Sequence, residues 1–137
     1  IELAVIFSGH FAPEQLDLIE SISKDWNSSG NKMKVLALAI NMEIKDSITP
    51  DHAGIFETTV LSYFHPKSVD ISALPDVQEF PVEDIDEDVF GLQRHDPAHI
   101  LWGVFGPDPR NYDPSMAEAL VTKISHAIEQ EVLRTLS

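Results

Sequence analysis

The side chains best suited to proton transfer or cation binding are concentrated in residues 51–59, DHAGIFETT. Asp51, His52 and Glu57 surround the small pair Ala53 and Gly54, and an apolar run follows. His52 and Glu57 are five positions apart, so they do not share one face of a helix in a simple way. If a helix begins near Gly54, His52 lies in the entry loop and Glu57 in the first turns, and both can point toward the amino end of the helix.

Two interpretations of this segment remain open. The positive end of a helix favours a carboxylate or a bound anion, so the segment could form half of an active site. Alternatively, Asp51 only caps the helix and Glu57 only compensates the helix dipole, with Thr58 and Thr59 solvated.

A second candidate, His10, lies in the segment SGHFAPEQ directly after an apolar run. That run, LAVIF, predicts a strand covered on both faces, as in a parallel sheet. Ligands of open parallel sheets collect outside the carboxyl ends of the strands, which is where His10 would lie. A neutral imidazole there can ligate a divalent metal or act as a base, and the alternative is a solvated loop histidine.

The elements that would position these residues begin with a βαβ unit. Pro13 predicts the start of a helix, and residues 33–40, MKVLALAI, predict a second buried strand. The helix carries an apolar stripe at helical spacing, formed by Leu16, Ile19, Ile22 and Trp26. Strand, helix and strand within roughly forty residues are typical of parallel α/β folds.

Further elements are predicted beyond the DHAGIFETT segment. A helix should run from about Ala53 to Phe64, and residues 100–106, ILWGVFG, are compatible with a last strand. Asp113 should cap a final helix with Pro114 in its first turn. Between them, residues 73–99 form a long acidic loop, which is too long for a plain connector and indicates a functional loop or a packing arm. We expect residues 1–137 to form a single domain.

Composition restricts the possible functions. The net charge of −14 argues against nucleic acids and anionic membrane surfaces as partners, because both require basic patches. The chain has no Cys, so any metal must be bound by His, Asp or Glu. No apolar run is long enough to span a bilayer, and no signal peptide is visible, which favours the cytoplasm. Because Ile1 leads directly into a strand, we expect a processed, truncated or partial chain.

The segment DHAGIFETTVLSYFHPKSVDIS resembles the H-A-G-x-x-E-T-S signature of the creatininase (creatinine amidohydrolase) family and its L-x-P-x-x-V-D-x-S continuation. The signature is matched by His52, Ala53, Gly54, Glu57 and Thr58, and Thr59 takes the place of Ser. VIFSGHFAPEQ is similar to the family's strand and N-G-H-G-G-N stretch, although only Gly9 and His10 match there. GVFGPDPRNYDPSMAEAL is similar to its closing G-V-x-G-D-P stretch and final helix. No segment matches the family's E-x-H-G-P-H-L-P stretch, so the chain resembles the carboxyl-terminal portion of the fold.

The resemblance implies a three-layer αβα sandwich with a mainly parallel sheet, two divalent metal ions (zinc, manganese or iron) and a homo-oligomer, often a hexamer. It implies hydrolysis of a cyclic amide or related C–N bond in a small-molecule substrate. His10 and Glu57 would be metal ligands and His52 the catalytic proton-transfer residue. We further expect Phe11, Asp51 and Gly54 to contact substrate. The alternative is a non-catalytic structural or regulatory subunit of the same fold.

Overall fold

The computed structural model describes residues 1–10, 12–40, 49, 51–82 and 92–137. The protein is mixed α/β, with a small parallel sheet and several helices. The described chain groups into two compact units, one formed by Ile1–Ser47 with Thr122–Ser137 and the other by Ile48–Val121. The single domain expected from chain length remains a prediction. None of the helices among the described residues is long and apolar enough to cross a bilayer.

The first unit contains the predicted βαβ arrangement. Strand β1 (Leu3–Ser8) pairs in parallel with strand β2 (Lys34–Ala39), and helix α1 (Pro13–Ser28) connects them. The register places Leu3 opposite Lys34 and Ser8 opposite Ala39. Pro13 begins α1 as predicted, because its fixed φ suits a first helical position.

Helix α1 is joined to β2 by side chains that bind backbone. The Asn27 amide accepts a hydrogen bond from the Val35 N–H at 2.9 Å and donates one to the Val35 carbonyl at 2.8 Å. The Trp26 indole donates to the Met33 carbonyl at 2.9 Å. Both backbone groups of Val35 are therefore satisfied by the helix, and no further strand is needed at that position.

The core of the first unit lies against β2 and not equally against β1. Four residues of β2 and one of the carboxyl-terminal helix are buried: Val35, Ala37, Leu38, Ala39 and Ile124. The side chains of Val5 and Phe7 in β1 are 41% and 45% exposed. Within the described residues the face of β1 that carries Val5 and Phe7 is uncovered, so β1 does not show the expected burial on both faces.

Helix α4 (Ala117–Leu136) completes the first unit with its residues from Thr122 onward. The Lys34 ammonium group donates to the Thr135 carbonyl at 2.6 Å, which joins the start of β2 to the last turn of α4. The final helix was expected to begin at Pro114. Instead, Pro114–Met116 form a 3₁₀ turn capped by Asp113, whose carboxylate accepts from the Ser115 N–H at 2.9 Å.

The second unit contains helix α2 (Ile55–Phe64), the short helix α3 (Leu92–His95) and 3₁₀ turns at Pro66–Ser68, Ile71–Ala73 and Pro109–Asn111. Helix α2 begins two residues later than expected, because Ala53 is left-handed, with φ of 50°, and Gly54 is the N-cap residue. The loop predicted for residues 73–99 includes part of the turn at Ile71–Ala73 and all of α3. Its residues 83–91 lie outside the described residues.

The predicted strand at residues 100–106 is wrong. This segment forms turns, with hydrogen bonds from the Trp102 N–H to the His99 carbonyl at 2.9 Å and from the Val104 N–H to the Leu101 carbonyl at 3.0 Å. Gly103 and Gly106 both have left-handed φ values, 81° and 88°, which are incompatible with a regular strand. Of the expected strand, only an isolated antiparallel bridge between His52 and Phe105 is present in the described residues.

Arg110 holds the second unit together near the turn at Pro109–Asn111. Its guanidinium group makes bidentate hydrogen bonds to the Asp108 carboxylate, the shortest at 2.7 Å. It also donates to the carbonyls of Pro75 at 2.8 Å and Phe80 at 3.0 Å. The hydrogen bond from Arg110 holds the pKa of Asp108 below its ordinary value, and both side chains are largely buried.

Candidate functional site at the start of helix α2

Asp51 caps helix α2 from three residues before its N-cap position. Its side chain is buried, and its two carboxylate oxygens accept from the N–H groups of Phe56 at 2.6 Å and Glu57 at 3.2 Å. Burial raises the pKa of Asp51 above its ordinary value, although the hydrogen bonds from Phe56 and Glu57 act in the opposite direction. The capping interpretation of Asp51 is therefore confirmed. Its contact with substrate remains a prediction.

Gly54 permits the close approach of Asp51 to the helix. A Cβ atom at Gly54 would lie 2.6 Å from the Asp51 Cβ, 2.6 Å from its Oδ2 and 2.7 Å from its Cγ. These distances are far inside van der Waals contact, so a larger residue would displace the carboxylate. The φ of Gly54 is −88°, which any residue can adopt, so glycine is needed here for space and not for backbone freedom.

The remaining amide at the start of α2 is also occupied. The Ile55 N–H donates to the Pro107 carbonyl at 3.0 Å, whereas the Thr58 N–H makes the ordinary helical bond to the Gly54 carbonyl. Together with the two amides bound by Asp51, these bonds use the donors that would otherwise hold an anion. The start of α2 therefore favours the capping interpretation, and the bound anion remains a prediction.

Glu57 folds back over the loop that precedes α2. One of its carboxylate oxygens, Oε2, accepts from the Ala53 N–H at 2.8 Å, one residue before the N-cap amide that the acid of a capping box would bind. This bond supports the left-handed conformation of Ala53. The Oε1 atom makes no hydrogen bond within the described part of the chain, and the side chain is only half-buried. Glu57 thus has a structural role and still presents one oxygen.

His52 is exposed but firmly held. Its backbone exchanges two hydrogen bonds of 3.0 Å with Phe105, and its ring stacks on the Phe105 ring with centroids 5.1 Å apart. The ring Nδ1 atom lies 2.5 Å from the Gly103 carbonyl oxygen. Because a carbonyl can only accept, the hydrogen must be on Nδ1, and the neutral ring then carries its lone pair on Nε2. The ring is thus oriented to accept a proton at Nε2.

The importance of Gly103 and Phe105 was missed by the sequence reasoning, which placed both in a strand. The available signal was the pair of glycines in GVFG, since glycine in the interior of a strand weakens the strand. No pattern in the sequence pairs residue 52 with residue 103, because that contact depends on the backbone bridge.

His10 belongs to the first unit, in the loop after β1. The buried Ser8 hydroxyl accepts from the His10 N–H at 3.1 Å and donates to the His10 carbonyl at 3.2 Å, and the Gln15 amide donates to it at 2.8 Å. His10 is exposed at the carboxyl end of β1, as predicted. Its proximity to Glu57 remains a prediction, and Phe11 lies outside the described residues.

The described residues do not supply a complete metal site. Within ranges 1–10, 12–40, 51–82 and 92–137, no group of three or more His, Asp or Glu side chains is arranged to hold a metal ion. Asp51 is committed to the helix cap, and one oxygen of Glu57 to the Ala53 amide. The metal centre implied by the resemblance does not fit these residues alone, because such a centre needs more ligands than they supply.

Comparisons with known proteins leave the family open. No protein-family model matches the sequence, and searches of curated proteins and of solved structures gave no match either. The resemblance to the creatininase family therefore rests on the residues quoted above, and its implications stand as a hypothesis.

Proposed function

We propose that the protein provides the proton-transfer part of a creatininase-type hydrolase that acts on a cyclic amide or related C–N bond of a small molecule. The observation that carries the proposal is the exposed His52 ring, whose Nδ1–H is bound to the Gly103 carbonyl. An imidazole held in this way is suited to general base catalysis, since its Nε2 lone pair is available to a substrate or water.

In the proposed reaction, water attacks the amide carbonyl carbon and loses a proton to His52 Nε2. The imidazolium ion then returns that proton to the leaving nitrogen as the C–N bond breaks, so one water is consumed and His52 is regenerated. The Gly103 carbonyl accepts from Nδ1–H throughout and stabilises the positive ring. We assign no further step to Asp51, because both of its oxygens are bound to backbone amides.

Divalent metal remains part of the proposal by resemblance alone. Zinc, manganese or iron would lower the pKa of a bound water and supply hydroxide near neutral pH. His10 and Glu57 are the proposed ligands, and the others would have to come from outside the described residues or from another subunit of a homo-oligomer, with a hexamer as the implied form. A cytoplasmic location is likewise proposed.

The three-layer αβα sandwich is the finer fold that we propose. The exposed Val5 and Phe7 side chains support it, because a parallel strand is normally covered on both faces. In such a sandwich the sheet would extend from the outer edge of β1, since Asn27 already occupies the backbone of Val35 in β2.

The test uses three variants: His52→Gln, Glu57→Gln and, as a control, His126→Gln, which alters an exposed histidine of α4. Turnover of a panel of cyclic amides is measured with zinc or manganese added, together with metal content and the melting temperature. His52→Gln should lower turnover by about two to four orders of magnitude with metal content and melting near wild type. Glu57→Gln should lower metal content as well, and His126→Gln should change nothing.

Full turnover in His52→Gln, or activity lost only together with metal, would contradict the proposed role of His52. A wild-type protein that turns over none of the panel and binds neither metal would favour the alternative, a non-catalytic structural or regulatory subunit. The capping bonds of Asp51 and Glu57 support this alternative, because they give both acids a structural role that requires no catalysis.

A further inference from the structure

The turn that carries Gly103 is anchored at several points within the second unit. The Gly103 N–H donates to the Gln93 carbonyl at 2.7 Å, and the next residue, Val104, donates to the Leu101 carbonyl at 3.0 Å. Both Gln93 and Leu101 are almost completely buried. The left-handed φ of Gly103, 81°, is part of this turn. The position of the Gly103 carbonyl is therefore set by buried structure and not by a freely moving loop.

The same segment fixes the residue that this carbonyl meets. The paired backbone bonds between His52 and Phe105 hold the Cα of His52, and stacking on Phe105 at an interplanar angle of 22° restricts rotation of the ring. With both ends held, the 2.5 Å contact between Nδ1 and the Gly103 oxygen leaves the imidazole little freedom. A free neutral histidine prefers to carry its hydrogen on Nε2, so this contact imposes the less common form.

We infer that Gly103 is a positioning residue that fixes His52 in the Nδ1–H tautomer, so that Nε2 is a proton acceptor before any ligand binds. The site then takes ligands that present an N–H or O–H group to Nε2. The use of this lone pair in hydrolysis rests on the proposed function, whereas the tautomer itself does not. His52 is thereby prepared to accept a proton first and to donate it second.

The test is ¹⁵N NMR of the histidine side chains in the whole protein, at a pH at which a titration of the same sample shows the ring to be neutral. His52→Gln assigns the signals. Wild-type His52 should show the Nδ1–H form in large excess. Gly103→Ala should shift the tautomer ratio toward Nε2–H by threefold or more, because a residue with a Cβ is strained at this φ and the turn must move its carbonyl.

Gly30→Ala is the matched control. Gly30 has a similar left-handed φ of 75°, and an added Cβ would meet no described heavy atom within 4 Å, but it lies in the turn between α1 and β2. It should therefore cause comparable backbone strain and leave the His52 tautomer unchanged. An equal shift in both variants, or no shift in Gly103→Ala, would overturn the inference.

If Gly103→Ala does not fold, the wild-type spectrum still decides, since a predominantly Nε2–H form of His52 overturns the inference. Turnover of the cyclic amide panel is measured on the same samples. An Nδ1–H tautomer in a protein without turnover would support the positioning role and count against the proposed hydrolase. Turnover in a protein whose His52 has the Nε2–H tautomer would support the proposed hydrolase and overturn the positioning role of Gly103.

Discussion

Replacing Gly54 with alanine tests how the start of α2 is built. An added Cβ would lie 2.6 Å from the Asp51 side chain, so the carboxylate must leave the amides of Phe56 and Glu57. Each of these two amides costs about 1–3 kcal/mol when it is left unpaired, or about 2–6 kcal/mol for both, and part of this is recovered if water reaches them. An unfolded chain has fewer conformations with alanine than with glycine, and this alone would raise the free energy of unfolding by about 0.4–1 kcal/mol. The free energy of unfolding should thus fall by about 2–4 kcal/mol.

Urea denaturation measures this loss, and a melt should show a drop of roughly 10 °C for a chain of this size. Gly9→Ala is the control, because an added Cβ there meets no described atom within 4 Å, and its stability should change by less than about 1 kcal/mol.

A double-mutant cycle isolates the cause. Asp51→Gly removes all the atoms of Asp51 that an added Cβ at position 54 would meet, so Gly54→Ala should cost less than about 1 kcal/mol in that background. If the losses from Asp51→Gly and Gly54→Ala simply add, or if Gly54→Ala is no worse than Gly9→Ala, the close approach does not control the stability of this helix start.

Two further predictions concern the Arg110 group. Arg110→Lys should reduce the free energy of unfolding by about 2–4 kcal/mol in urea denaturation, because an ammonium cannot bind Asp108, Pro75 and Phe80 together. Arg134→Lys is the control and should cost less than about 0.5 kcal/mol, because the Arg134 side chain is exposed. Equal losses would refute this reasoning. The lowered pKa of Asp108 means that its stabilisation is present above its ordinary value of 3.8 and is lost as pH falls through the folded pKa. The difference in free energy of unfolding between wild type and Asp108→Asn should therefore shrink as the pH falls below about 4. A difference that grows in acid would contradict the stabilising role of the ionised Asp108.

The parts of the fold that follow from local pattern were predictable. The run LAVIF, Pro13 and the run MKVLALAI predict β1, α1 and β2 because strand formation and helix initiation depend on neighbouring residues. The strand expected at residues 100–106 was wrong because these apolar residues form a turn, in which Leu101 is buried and Trp102 is exposed. The left-handed backbone angles of Gly103 and Gly106 distinguish this turn from a strand. Periodicity carries no information about such angles.

The candidate site was predictable as a set of residues but not as a set of contacts. The sequence identifies Asp51 as a possible cap, yet the amides that it binds, those of Phe56 and Glu57, lie five and six residues away. That reach requires the left-handed Ala53, which residue type alone does not predict, since alanine rarely adopts positive φ. The orientation of His52 depends likewise on a carbonyl that is 51 positions away in the chain.

The first unit is discontinuous in sequence, and this has a consequence for folding during synthesis. Residues Ile1–Ser47 are synthesised before Ile48–Val121, but Thr122–Ser137, which supply the buried Ile124 and the carbonyl bound by Lys34, are synthesised after it. The intervening Ile48–Val121 is contiguous, so the contacts within that unit require no residue that is synthesised later. Until α4 is synthesised, the side of β2 that packs against α4 in the first unit remains uncovered. A nascent chain stalled before residue 122 would therefore expose Leu38 and Ala39 to chaperones, whereas release of the last turns of α4 would bury them.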